Sequence, residues 1–239
     1  MDKLQQQFKT LRLHGMDRCW QSFVETRRHH ELDVAEGLEI LLQAEEEHRK
    51  NNRFERLRKS ARFRYQASTE EITFDSSRGL DKAQISQLIT GEYIDKGESV
   101  LITGATGCGK SFLASALGHH ACSQGHKVAY YNLQKLLIKT KMARIDGSVY
   151  KLFEKLSKTD LLILDDFGLT HLEKQQQMDL MEIIEDRHAR KATIIASQLP
   201  VASWYDIIGE ETIADAILDR LVHTSHRVEL KGESLRKKV

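Results

Sequence analysis

At 239 residues, with 40% hydrophobic and 30% charged residues and a formal net charge of +1, the chain has room for one sizeable α/β domain plus a small appendage, and the net charge by itself names no partner. No run of eighteen uncharged apolar residues occurs and the opening Met1-Asp2-Lys3-Leu4-Gln5 is polar, so neither a membrane span nor a signal peptide is expected, and a cytoplasmic location is. The three cysteines, Cys19, Cys108 and Cys122, have no metal-ligand spacing and no disulfide framework, which fits a reducing compartment.

The first 67 residues read as a small all-helical region. Leu4, Phe8, Leu11 and Leu13 recur near helical spacing, and Gly15 then offers a break. A second helix is predicted from about Val34, with Leu38, Leu41 and Leu42 on one side, running into a highly charged stretch. From Arg49 to Arg64 that stretch carries Arg49, Lys50, Arg53, Arg56, Arg58, Lys59, Arg62 and Arg64, with Glu55 as its one acid. Phe54, Leu57 and Ala61 form a face that can pack while cations project, an electrostatic footprint for a phosphate backbone. The alternative is a solvated face paired with Glu45, Glu46 and Glu47. No base-reading motif is visible, so the predicted partner is duplex DNA bound without regard to sequence.

From Ser68 onward the pattern changes. Short aliphatic runs at Ser99–Thr103, Lys127–Asn132, Leu161–Asp165, Thr193–Ser197 and Arg227–Leu230 read as buried strands. Helical segments Ser111–Gln124, Leu133–Ile145 and Gln175–Ala189 separate them. Alternation of this kind predicts an α/β domain over 68–239, a parallel sheet between helices.

The first of these strands runs into Gly104-Ala105-Thr106-Gly107-Cys108-Gly109-Lys110-Ser111, a full match to the G-x-x-x-x-G-K-[ST] phosphate-binding loop. Glycines let successive backbone N–H groups turn inward on phosphate oxygens. The Lys110 ammonium reaches the β- and γ-phosphates, the Ser111 hydroxyl coordinates Mg²⁺, and the helix that follows points its positive end at the anion. The cofactors implied are ATP and Mg²⁺, and the activity implied is ATP hydrolysis. Cys108 is a neutral spacer in this loop.

The strand Leu161–Leu164 ends in Asp165 and Asp166, at the sheet edge where α/β ligands bind. Asp165 is the candidate for the Mg²⁺ shell and Asp166 for orienting or deprotonating the attacking water; the alternative is a polar strand end that starts a turn. Gln198 follows another strand end and is placed to meet the γ-phosphate or the water. Arg220 and Arg236 are candidates for stabilising transition-state charge. Lys135, Lys139, Lys141 and Arg144 form a second candidate DNA-contacting helix. Adjacent histidines (His29-His30, His119-His120) diverge by about 100° on a helix and are read as non-ligands.

With these residues in view the chain resembles an AAA+ ATPase, and within that class the IstB helpers of bacterial insertion sequences and the related DnaC-type helicase loaders. The resemblance rests on the loop from Gly104 to Ser111, Leu161–Gly168, Ala196–Pro200, Asp219-Arg220-Leu221, Gly232–Arg236 and the opening Leu13–Met16. It implies that Gln198 is the sensor-1 residue, Arg220 an arginine finger acting in trans in a homo-oligomer, and Arg236 the sensor-2 arginine. Asp166 stands where many AAA+ proteins carry glutamate, and Gln198 where asparagine or threonine is usual. The resemblance further implies an ATP-dependent regulator that assembles on DNA and delivers target DNA to a transposase. A helicase loader that grips a protein ring and a P-loop small-molecule kinase remain as alternatives.

Overall fold

The computed structural model describes residues 3–27 and 31–235, in two compact units, Met1–Arg56 and Leu57–Val239. Among the described residues no helix is long and apolar enough to cross a membrane. The histidine pair His29-His30 lies outside the described residues, as does Arg236.

The first unit holds helices α1 (Lys3–Thr10), α2 (His14–Glu25) and the start of α3 (Val34–Ala61). Phe8, Met16, Phe23 and Leu41 form its small core, with Leu4, Leu13, Trp20 and Ile40 against it. Gly15 does not break the helical pattern as its residue type suggested. It lies in the first turn of α2, where a side chain would run into the backbone of Ala44 and Glu45 on α3. The buried Glu45 carboxylate then accepts hydrogen bonds from the backbone N–H groups of Gly15, at 2.7 Å, and Met16, at 3.3 Å. These are N-terminal donors that a helix otherwise leaves without partners. Leu41 faces the core, whereas Leu38 and Leu42, expected beside it, are about half exposed.

In the second unit, α4 (Lys82–Thr90) is capped by Asp81, whose carboxylate accepts from Ala83 N at 2.9 Å. The short α5 (Glu92–Asp95) leads into β1 (Ser99–Gly104), followed by α6 (Lys110–Ser123), β2 (Val128–Asn132), α7 (Leu133–Ile145), α8 (Val149–Ser157) and β3 (Leu161–Phe167). Then come α9 (Lys174–Arg187), β4 (Ala192–Ser197), α10 (Trp204–Ile208), α11 (Glu211–Val222) and β5 (Ser225–Leu230). The five strands are parallel in the order β2-β3-β4-β1-β5. The inner strands are buried along their lengths, which is why they read as unbroken aliphatic runs. Because all strands point the same way, their carboxyl ends gather residues from distant parts of the chain at one edge. Register places Asn132 opposite Asp165, and Thr103 opposite Ser197.

One buried cation ties the far end of this sheet together. Arg187, only 1% exposed, gives its guanidinium to the carbonyls of Leu156, Thr159 and Ala192 and to the Thr193 hydroxyl. Burial pushes its pKa down to about 9.

Candidate functional site: a phosphate cradle and its acids

The cradle begins where β1 stops. Gly104, Gly107 and Gly109 have φ of +145°, +82° and +105°, conformations that side chains disfavour. At Gly104 a Cβ would also meet the Leu230 carbonyl, and at Gly107 the Ser234 hydroxyl. The loop is tied from outside by Leu235 N donating to the Gly107 carbonyl at 3.0 Å, and by Arg78 donating to the Cys108 carbonyl at 3.3 Å. Cys108 turns its thiol inward and is 4% exposed, as a spacer in the wall would be. Lys110, the first residue of α6, is buried and spans the loop, its ammonium donating to the carbonyls of Gly104 and Ala105, both at 2.8 Å.

The acids stand beside it at the end of β3. Asp165 is 1% exposed, and its Oδ1 accepts from the Ser111 hydroxyl at 3.0 Å and from the Asp166 N–H at 2.9 Å. Its Oδ2 accepts from the Tyr130 hydroxyl on β2, and burial together with this bond raises the Tyr130 pKa well above its ordinary value. Asp166 has φ +59°, a left-handed conformation unusual outside glycine, and the pairing of β3 with β4 shifts between Leu164 and Phe167. That break in the pleat turns both successive carboxylates to the same side. Asn132 Nδ2 donates to Asp166 Oδ2 at 2.8 Å, and Arg64 reaches the same oxygen at 3.1 Å and Asp165 Oδ2 at 3.5 Å. Burial opposes the Arg64 charge, but the neighbouring Tyr65, Asp166 and Asp165 raise its pKa above the ordinary arginine value.

A cavity of about 470 Å³ opens over this arrangement, lined by Thr106, Gly107, Lys110, Ser111, Asp166, Gln198 and Arg64 among others. The Gln198 side chain is held toward the loop by the Thr106 hydroxyl, which donates to its Oε1 at 2.7 Å. Beside the loop's outer rim lies a smaller pocket of about 220 Å³, walled by Ile72, Leu80, Phe112, Leu113, Leu230 and Leu235. The two pockets share Gly109, Phe112 and Leu235, so an anionic end and an apolar end adjoin. The hydroxyl of Ser111 and the carboxylate of Asp165 are hard oxygen donors, the set that suits Mg²⁺.

Sequence reading brought Ser111, Asp165, Asp166 and Gln198 to this place; it missed Tyr130, Asn132 and the apolar pocket. Arg220 is not among the residues lining the cavity. It lies in the last turn of α11, pairs with Glu185 on α9 and donates to the Ala216 carbonyl at 2.8 Å.

The expected DNA contacts separate. Arg49 pairs with Glu45 and Lys50 with Glu46, each one helical turn away, the acidic-run alternative at those two positions. Arg53 and Arg56 are exposed. Arg58 is only partly exposed in the last turn of α3. Arg144 is held by Asp179, through Nε at 2.8 Å, and lies over the Phe153 ring. Lys135 and Lys141 are exposed on α7. Lys59, Arg62 and Lys139, from the two separately predicted segments, meet in one cavity of about 620 Å³. Lys127, Lys151, Lys155 and Lys158 join them there, and Glu154 is the one acid in its lining.

A family model described as IstB-like ATP binding protein matches residues 6–239. An insertion-sequence ATP-binding protein of Sinorhizobium fredii, y4pL, is 44% identical over 99% of this chain and 95% of its own length. The ATP-binding protein of insertion sequence IS21 from Pseudomonas aeruginosa is 29% identical over 100% of this chain and 90% of its own length. Among solved structures, the DnaC helicase loader matches 70% of this chain and 98% of its own with a TM-score of 0.60 at 20% identity. The replication initiator DnaA bound to AMPPCP and single-stranded DNA matches 72% of this chain and 52% of its own with a TM-score of 0.61 at 17% identity. At such identities these two structures speak for the fold.

Proposed function

The chain belongs to the IstB-like ATP binding protein family, and from that premise we propose that it binds ATP with Mg²⁺ in the cradle and hydrolyses it as part of an assembly on DNA. The observation that carries hydrolysis is the grouping of Lys110, Ser111 and Asp166 around one cavity, with the buried Asp165 bonded to the Ser111 hydroxyl and the Asp166 N–H. Backbone N–H groups of the loop and the Lys110 ammonium take the phosphates. Ser111 and Asp165 would hold Mg²⁺, which supplies charge neutralisation between the phosphates when bound. Asp166 takes the proton of the attacking water, Gln198 orients that water or the terminal phosphate, and the apolar pocket receives the base. Arg220 of a neighbouring copy supplies the cation that each site's own α11 does not bring to it, so hydrolysis depends on oligomer formation.

The cavity where Lys59, Arg62 and Lys139 meet four further lysines supports sequence-independent contact with the DNA backbone. It also favours DNA over a protein ring as the partner. The N-terminal helical region, 1–67, serves assembly and DNA contact, and the AAA+ domain, 68–239, serves ATP. The insertion-sequence context of the relatives supports delivery of target DNA to a transposase.

The test is ATP turnover with and without duplex DNA, across a protein concentration series at fixed moderate salt. Turnover that rises with DNA, and more than linearly with protein, is the expected result. Turnover indifferent to both would discard the DNA-regulator reading and leave only the nucleotide site.

A further inference from the structure

Arg64 was expected on a DNA-facing helix, yet α3 ends at Ala61 and Arg62 turns left-handed, with φ +59°. The next residue is anchored hard. The Phe63 ring stacks on His119 at 4.2 Å and meets Tyr130 edge-on at 6.2 Å. It lies so close to α6 that a Cβ on Gly118 would come within 2.5 Å of its Cε1. The Tyr65 carbonyl meets His119 Nε2 at 3.2 Å. Fixed on both sides, Arg64 is aimed into the nucleotide cavity, over the Tyr65 ring at 5.5 Å and against both acids.

We infer that Arg64 is an internal cation of the ATP site, occupying the Asp165–Asp166 pair in competition with Mg²⁺ and thereby setting how much magnesium the site demands. This rests on the ATP·Mg²⁺ reading proposed above. Two adjacent carboxylates, one fully buried, repel each other and need a positive charge nearby. Arg64 supplies it, one guanidinium nitrogen, Nη1, reaching an oxygen of each acid. A hard divalent ion bound beside Ser111 would meet Asp165 at Oδ1, while Arg64 lies on Oδ2, so metal and guanidinium share one carboxylate and oppose each other by charge. The Arg64 side chain is 42% exposed, which leaves it room to swing out. A half-exposed pair of this kind is worth up to about 1 kcal/mol, so the competition amounts to about fivefold in the metal concentration required.

The experiment follows binding of a fluorescent ATP analogue to the full chain while Mg²⁺ is titrated, for wild type, Arg64→Gln and Arg64→Lys, with Lys110→Ala as the control whose phosphate site is weakened. Direct Mn²⁺ binding, read as loss of the free-ion electron paramagnetic resonance signal, gives the same comparison without nucleotide. Arg64→Gln is expected to lower the Mg²⁺ midpoint and tighten Mn²⁺ binding about fivefold, with Arg64→Lys close to wild type. A midpoint in Arg64→Gln equal to or above that of wild type overturns the inference while the nucleotide reading stands. Wild-type protein that binds no nucleotide at any magnesium concentration overturns both.

Discussion

Asn132 uses both ends of its side-chain amide, donating from Nδ2 to Asp166 at 2.8 Å and accepting at Oδ1 from the backbone N–H of Lys135 at 3.2 Å. The second bond caps α7, so the residue that starts this helix also fixes the proposed catalytic carboxylate. Asp166 sits in a strained left-handed backbone, and such strain persists only where surroundings impose it.

The exchange Asn132→Asp keeps the cap and replaces the donor facing Asp166 with a second carboxylate. ATP turnover is expected to fall about tenfold or more, the scale of a misplaced general base. Nucleotide affinity should change little, because the cradle is untouched. Equal losses in affinity and turnover would mean that Asn132 serves only the fold of this edge.

Lys110→Ala removes the ammonium that crosses the loop between Gly104 and Ala105. Charge-assisted contacts to phosphate are worth about 2–3 kcal/mol, so ATP affinity should drop about 30- to 150-fold. Calorimetric titration with ATP at saturating Mg²⁺ gives the number directly. Wild-type affinity in this variant would remove the cradle assignment.

Arg187→Met tests stability rather than chemistry. Methionine fills much of the volume but takes away the guanidinium donors that the carbonyls of Leu156, Thr159 and Ala192 and the Thr193 hydroxyl share. A loss of about 3 kcal/mol in urea unfolding is expected, with the ATP site, at the opposite edge of the sheet, unaltered in whatever remains folded. Unchanged stability would show that the desolvation of this arginine cancels its hydrogen bonds.

The phosphate loop was legible because its chemistry is local. Eight consecutive residues carry the glycines, the lysine and the hydroxyl, and an aliphatic strand and a helix flank them. The acids were legible for the same reason, at the end of a four-residue aliphatic run. Tyr130 and Asn132 were not, because they reach Asp165 and Asp166 through the register of β2 on β3, and no spacing along the chain encodes that register. Charge density and continued helical spacing group Arg64 with the basic helix; the left-handed turn at Arg62 and the Gly118 notch that seats Phe63 redirect it, and both are tertiary facts. Leu38 and Leu42 share helical spacing with Leu41, but a 28-residue helix turns only part of its apolar surface inward.

The cationic cavity offers a sharper test of DNA contact than any single arginine on α3. Lys127, just before β2, and Lys155, on α8, carried no DNA signal in the sequence, and line the cavity with Lys59, Arg62 and Lys139. A backbone-binding site loses affinity with salt in proportion to the phosphates it neutralises, about 0.9 in the log–log slope for each one. The double exchange Lys127→Ala and Lys155→Ala is therefore expected to flatten that slope for duplex DNA by about 1 to 2, with the same change on unrelated sequences. Arg144→Ala is the contrast, because its guanidinium is committed to the buried Asp179 carboxylate. It should lower stability by about 2 kcal/mol through the charge left buried at Asp179 and leave the slope unchanged. A slope reduced by Arg144→Ala but not by the lysine pair would move the DNA contact from this cavity to the exposed side of α7.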